Sequence, residues 1–469
     1  MRSDAQHRSE PEGPALRHLT DTRRGDGRLM VLAVCGAVAV AFADSSIVVL
    51  ALPALYSALG TSIVGVSWVI TSYNLAVVVV ACLLVSLMRR LDVAKLTTTG
   101  LALFCAGSVG CALSGSLLVL IVCRCAQGAG AAMLLAGTLA LLSALCHSRA
   151  RGVALWSTAG TVGAALAPAL GGILTELFDW RAIFVFQAPI ALAALVANSR
   201  SPVELEAGDG TRLRVASNLG LGLIFGALVG ALFLAVLLVI TVWGLSPIAG
   251  AAAVSALPAF ALAAGRLRRE LSLRAAGAAG ALLLAGGLIA LALLPAVSPA
   301  LLAGALGLCG AGMGLAIPVL TDAAVGPDEQ LVHAGTVTIG ARHAGLVVGL
   351  LLVAPLLSHD LQRGAHDALL GGAKVLLSAN APIRQQVPIA LDLRGAIDHA
   401  PRGTVPDLAA PFDKQGAAHD ARLRRVRDSL VAAVTDAIAR SFRTALALCA
   451  ALAALVLVPI AIIRPRGPE

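Results

Sequence analysis

A chain of 469 residues with 58% hydrophobic and 13% charged side chains is not an ordinary soluble domain, in which about a quarter of residues are charged. The net charge of +9 would suit nucleic acid, but the basic residues gather between long apolar runs, which argues for membrane topology and against a nucleic-acid partner. Nine cysteines all fall in apolar stretches. That placement speaks against a disulfide scaffold, and Cys123 and Cys125, which flank Arg124, have no further Cys or His nearby to complete a metal site.

A helix needs about 20 apolar residues to cross the hydrocarbon core. By that measure twelve spans are predicted, at 29–56, 64–88, 96–114, 117–146, 154–177, 182–198, 216–242, 246–264, 272–294, 298–321, 332–357 and 441–463. The charged start (1–28) runs into an apolar segment too long for a signal-peptide core. The organisation predicted is an N-terminal tail (1–28), a six-helix bundle (29–198), a charged linker (199–215), a second six-helix bundle (216–463) and a short tail (464–469). If the N-terminus is cytoplasmic, the inner segments hold twenty Lys and Arg, among them Arg23, Arg24, Lys95, Arg149, Arg214 and Arg274, and the five short outer loops hold only Arg181. Both termini are therefore expected in the cytoplasm.

The segment 359–440 interrupts the second bundle before the last span. It mixes Asp and Arg almost evenly, and long loops translocate regardless of charge, so it is expected outside the cytoplasm. Residues 367–379 predict one short amphipathic helix, and Pro382, Pro388, Pro401, Pro406 and Pro411 predict an irregular middle. The spacing of Leu423, Val426, Leu430, Val434, Ala437 and Ile438 predicts a helix that flows into the last span. A solvated cap, a gate and a partner site all stay open for it.

Several stretches carry more specific patterns. In the fifth span Gly160, Ala164, Ala167, Pro168, Gly171 and Gly172 leave one helical face almost without side chains, so a neighbouring backbone can pack close. The first span holds Asp44-Ser-Ser-Ile-Val-Val-Leu-Ala-Leu-Pro53, and the fourth holds Arg124-Cys-Ala-Gln127-Gly-Ala-Gly-Ala-Ala132. The sixth opens with Trp180-Arg-Ala-Ile-Phe-Val-Phe-Gln-Ala-Pro-Ile190. The tenth contains Gly310-Ala-Gly-Met-Gly-Leu-Ala-Ile-Pro318, the eleventh Arg342-His343-Ala-Gly-Leu-Val-Val-Gly349. In this order the set resembles the drug:proton antiporter branch of the major facilitator superfamily, especially its fourteen-helix exporters, though with twelve helices here. The resemblance implies an all-α polytopic fold of two six-helix bundles related by pseudo-twofold symmetry, with 359–440 as an extracytoplasmic insertion. It also implies a role for the Gly160–Gly172 face in transport, where the residues alone allow a plain close-packed helix pair. The loop at 85–95 departs from the family pattern, with Val85 for a glycine and Arg89 for the aspartate that helps lock the two halves in one state.

Ionisable groups within a span cost roughly 2.5–3.5 kcal/mol each and are functional candidates. The clear cases are Asp44, Arg124, Arg342 and His343. At 1.5 Å per residue, Asp44 lies about 22 Å from the inner end of its helix and Arg124 about 11 Å from the outer end of its own. In a core of about 30 Å the two share a level, so an acid and a base of one half can meet a basic pair of the other. Asp44 is expected to exchange a proton for substrate, with His343 as the second candidate titrant. A static Asp44–Arg124 pair and a packing His343 remain open as alternatives. Gln127 and Arg342 are expected in the substrate cavity, and Glu176 and Asp179 at the capping interface outside it.

No Walker-type loop, nucleophile triad or metal-ligand set is apparent, so the chain is read as neither an ATPase nor any other enzyme, with no cofactor. The proton gradient supplies about 2.3 kcal/mol per 100 mV and about 1.4 kcal/mol per pH unit. The expected protein is a monomeric inner-membrane exporter of small apolar or amphipathic organic molecules in exchange for protons. Uptake by symport or facilitation on the same fold, and a non-transporting sensor or scaffold, are the rivals. Asp44 would admit a cation and the arginines an anion, and the residues do not choose.

Overall fold

The computed structural model describes residues 14–87, 91–199, 214–267, 271–294, 298–325, 331–378, 383–398, 408–415 and 420–463. In the first half α1 is Pro14–Ile47, prolonged by a 3-10 turn Val48–Ala51 and a short helix Leu52–Ala58. It is followed by α2 Ile63–Leu87, α3 Val93–Leu113, α4 Leu117–Leu145, α5 Arg149–Leu177 and α6 Ala182–Ser199. In the second half α7 Val215–Val236 ends in a π-helical turn, Leu237–Val242. Next, α8 covers Pro247–Val254 and resumes after Ser255 as Ala256–Leu267. Then come α9 Leu273–Ala292, α10 Pro299–Val325 and α11 Leu331–Ser378. The chain closes with α12 Ile383–Asp398, α13 Ala410–Lys414 and α14 Ala421–Leu455, which continues as Leu457–Ile462.

Twelve of these helices, α1–α11 and α14, are long and apolar enough to cross a membrane. Twelve is even, so residues 14 and 463 lie on one face, called proximal here, and the other face is distal. The helix starts follow from side-chain capping. Ser116, Ser148, Ser246 and Ser272 each accept from a backbone N–H of the turn that follows. Asp92 does the same for α3, and the Lys95 backbone N–H, helped by the Lys95 ammonium and least by the Ala94 N–H, holds its carboxyl below the usual range. Asp92 thus supplies an acid to the loop whose family position is held by Arg89, which lies outside the described residues.

The insertion differs from expectation. No separate helix forms at 367–379, because α11 runs unbroken through its span from Leu331 to Ser378, 48 residues in all. Where the middle is described it is helical, since α12 forms around Pro388 and α13 around Pro411, while Pro382, Pro401 and Pro406 lie outside the described residues. Ile389 and Leu393 of α12 bury against Leu408, Phe412, Leu423 and Leu430. That small core outweighs one lost backbone hydrogen bond. The expected helix leading into the last span is present as the first part of α14.

Candidate functional site

Two amide residues and an ion pair assemble in the middle of the first half. Asp44 of α1 and Arg124 of α4 are both completely buried, with Oδ2 and Nη1 2.5 Å apart. Gln187 of α6 donates from Nε2 to the other carboxylate oxygen at 2.9 Å. Gln127, one turn from Arg124, accepts from Arg124 Nη1 at 2.7 Å and donates to Gln187 Oε1 and Ser108 Oγ. Arg124 Nε donates to the Val69 carbonyl of α2 at 2.9 Å. Its guanidinium lies over the Tyr73 ring, 4.3 Å from the centroid, and near Phe184 at 5.7 Å. Burial of this order is tolerated because nearly every polar atom has a partner, although Arg124 Nη2 has no hydrogen-bond partner among the described residues.

Beside this network the second half makes a hydrogen bond to the first. His343 Nδ1 of α11 lies 2.6 Å from Asn74 Oδ1 of α2. The same oxygen accepts from Ser45 Oγ, next to Asp44, at 2.9 Å, while Asn74 Nδ2 donates to the Ile70 carbonyl. Arg342 points elsewhere, with its guanidinium 4.9 Å from the Phe42 ring of α1 and 4.2 Å from the Phe225 ring of α7. So Asp44, Arg124 and Gln127 form one cluster, His343 is tied to its edge through Asn74, and Arg342 is separate. The sequence has only 16 aromatic residues, yet four of them lie against these two arginines.

Sequence reasoning passed over Gln187, Asn74 and Ser108. The available signal was an amide or hydroxyl within an apolar run, as in Tyr73-Asn-Leu-Ala76 and Phe186-Gln-Ala188.

The small-residue face of α5 runs from mid-span toward the distal end, with Gly160 on Phe42 and Gly171 on the Ile47 carbonyl of α1. Gly172 faces the Pro247 carbonyl and Ala251 of α8. A Cβ at Gly171 or Gly172 would overlap backbone, so only glycine permits this approach. Pro168 is buried within α5, which continues through it. Beside Gly172, Glu176 Oε2 accepts from the Ile248 N–H at 2.7 Å, joining the two halves. Asp179 does not share in this. It pairs with Arg181 at 3.3 Å and closes the α5–α6 turn.

Six plus six spans, with a buried charge network inside the first half and a hydrogen bond beside it to the second, define a multi-pass membrane transporter. The model of the Major Facilitator Superfamily matches residues 34–354, more than half of the chain, and the chain belongs to that family. It is 37% identical over 171 residues to the drug efflux pump JefA of Mycobacterium tuberculosis, covering 35% of this chain and 33% of that protein. It is 34% identical over 160 residues to the methylenomycin A resistance protein of Bacillus subtilis, covering 34% of each. The matches thus span about a third of these relatives. Among solved structures, a bacterial homologue of the human lysosomal transporter Spinster, inward-facing and occupied, aligns with a TM-score of 0.65 at 17% identity over 94% of this chain and 98% of that one. A D-xylose–proton symporter aligns with a TM-score of 0.57 at 15% identity over 70% and 89%. Both likenesses concern the fold.

Proposed function

We propose that the chain is a proton-coupled exporter of small apolar or amphipathic organic molecules, working by alternating access as a monomer in the cell (inner) membrane. The proximal face is then cytoplasmic, 29–198 and 216–463 are the two moving halves, and 199–215 links them. The observation that carries the reading is the Asp44 carboxylate, fully buried against Arg124, with its neighbour Ser45 bonded to the same Asn74 oxygen that meets His343. A proton on Asp44 would cancel its charge and release Arg124 from its counter-ion. A buried pair is sensitive to losing either member, so protonation gives the two halves a reason to rearrange. Gln187 and Arg124 hold the carboxylate, Gln127 braces both of them, and Asn74, bonded to Ser45 next to Asp44, carries the change to His343 of the other half. The efflux and resistance names of the relatives support export over uptake.

The test is transport in proteoliposomes under an imposed pH gradient. Substrate is expected to move against the proton flow in the wild type, and Asp44→Asn is expected to keep substrate exchange while losing gradient-driven accumulation. Substrate moving with the protons would replace export by symport. Unchanged accumulation in Asp44→Asn would remove Asp44 from the coupling.

A further inference from the structure

The charges of the central layer do not balance. Asp44 and Arg124 neutralise each other within a network of amides. Arg342 stands outside that network and, among the described residues, has no hydrogen-bond or ion-pair partner. It is half-buried, whereas its neighbour His343 is buried and tied to Asn74. The two rings against it come one from each half, Phe42 from α1 and Phe225 from α7, so the guanidinium lies on the line where the halves meet and not toward lipid. Phe42 is itself packed edge-on by Trp156 of α5, with centroids 5.0 Å apart.

A guanidinium stays charged at physiological pH and presents five N–H donors around its rim. Rings engage its flat faces, which leaves the rim for an acceptor. A planar fork of this kind matches a carboxylate, sulfonate or phosphate. An unbalanced cation within a span is costly unless something compensates it. A cationic solute would add to the imbalance, because the carboxylate of this layer, Asp44, is already engaged by Arg124 and Gln187. An anionic solute would remove it.

We propose that the transported molecule is an amphipathic organic anion, whose acidic head docks on the N–H rim of Arg342 between Phe42 and Phe225 and whose apolar body lies along those rings. This rests on the export reading above and narrows its substrate class. Trp156 is placed to report occupancy, so binding is read by energy transfer from tryptophan to a dansyl probe on the full chain in non-ionic detergent. Three probes of equal length are compared: dansylamino-undecanoate, its methyl ester, and the matching quaternary ammonium. In the wild type the carboxylate should bind at least about tenfold tighter than the ester, with the ammonium weakest. Arg342→Gln should weaken the carboxylate by roughly 10–100-fold and leave the ester unchanged, which also shows that the variant is folded. Arg342→Lys should retain part of the preference. Equal binding of ester and carboxylate, tighter binding of the ammonium, no binding of any probe, or a preference that survives Arg342→Gln would overturn the proposal. The same probes in vesicles separate the two claims. Carboxylate that binds through Arg342 but is not driven by a pH gradient defeats the export reading alone. Gradient-driven movement of the ester or the ammonium but not the carboxylate defeats this one alone.

Discussion

Asn74 is one place where the two halves share a hydrogen bond, and its geometry fixes a proton. Its Nδ2 donates to Ile70, so both Ser45 and His343 meet the amide oxygen. An oxygen only accepts, so His343 must carry a proton on Nδ1. Two residues away in the network, the Asp44–Arg124 pair admits a stability test that separates a structural role from a transporting one. Removing one member of a buried pair costs about 3–5 kcal/mol, because the other charge is stranded. Arg124 keeps the Val69 carbonyl, Gln127 and the Tyr73 ring, so the lower end of that range is expected for Asp44→Asn. Adding Arg124→Gln should restore most of the lost thermal stability in detergent. If Asp44 carries the proton, the double variant remains unable to accumulate substrate under a pH gradient. Recovery of both stability and accumulation would mean that the pair only holds α1 to α4. That these two residues meet was legible before any coordinates, since the fixed rise of a helix places them at one depth. Their partners were not. An amide in a span reads the same whether it faces a neighbour's side chain or its own backbone, as Asn74 does both.

Among the elements, the span boundaries followed the hydropathy pattern closely because the bilayer imposes one length on every crossing. The failures lie where that constraint stops. After Leu357 the sequence turns polar, but no proline occurs before Pro382, so nothing ends α11 and it continues to Ser378. Pro388 was expected to break structure, but the apolar pairing of α12 with α14 decided otherwise. A similar limit applies to Glu176 and Asp179, which are three residues apart. One reaches the opposite half, and the other turns back to Arg181. Glu176 meets α8 at its second residue, after the Ser246 cap and Pro247. A carboxylate there gains from the hydrogen bond and from the positive end of the helix. Because the site is exposed, the net effect is about 0.5–1 kcal/mol. Glu176→Ala should therefore shift the halves toward distal opening by roughly two- to fivefold, and Glu176→Gln, which keeps an acceptor, by less. Alkylation rates of a cysteine introduced near the distal ends of α5 and α8 would measure this. Equal rates in all three proteins would show that the bond does not bias the closed state. Gly172→Leu should act more strongly in the same direction, since its side chain must displace the Pro247 backbone.

Across the whole molecule, one line of contacts runs from the proposed proton carrier to the proposed anion site: Asp44, its neighbour Ser45, Asn74, His343 and its neighbour Arg342. It crosses from α1 through α2 to α11, a helix that packs on both halves. A transporter built this way would let substrate on one half sense a proton on the other. The two proposals together also set the charge that moves in each cycle. One proton inward for one monovalent anion outward carries two elementary charges inward. A neutral solute carries one, and a monovalent cation none. Each charge adds about 2.3 kcal/mol of driving force per 100 mV, so an inside-negative potential should drive export of an organic anion with no pH gradient present. Proteoliposomes loaded with dansylamino-undecanoate and clamped by potassium and valinomycin would test this. Transport currents should have the sign of positive charge entering and grow with applied potential. They should fall below detection in Arg342→Gln. An electroneutral cycle for the anion would be incompatible with exchange for a single proton and would require the proton to travel with the substrate, through the same Asp44 but in the opposite sense.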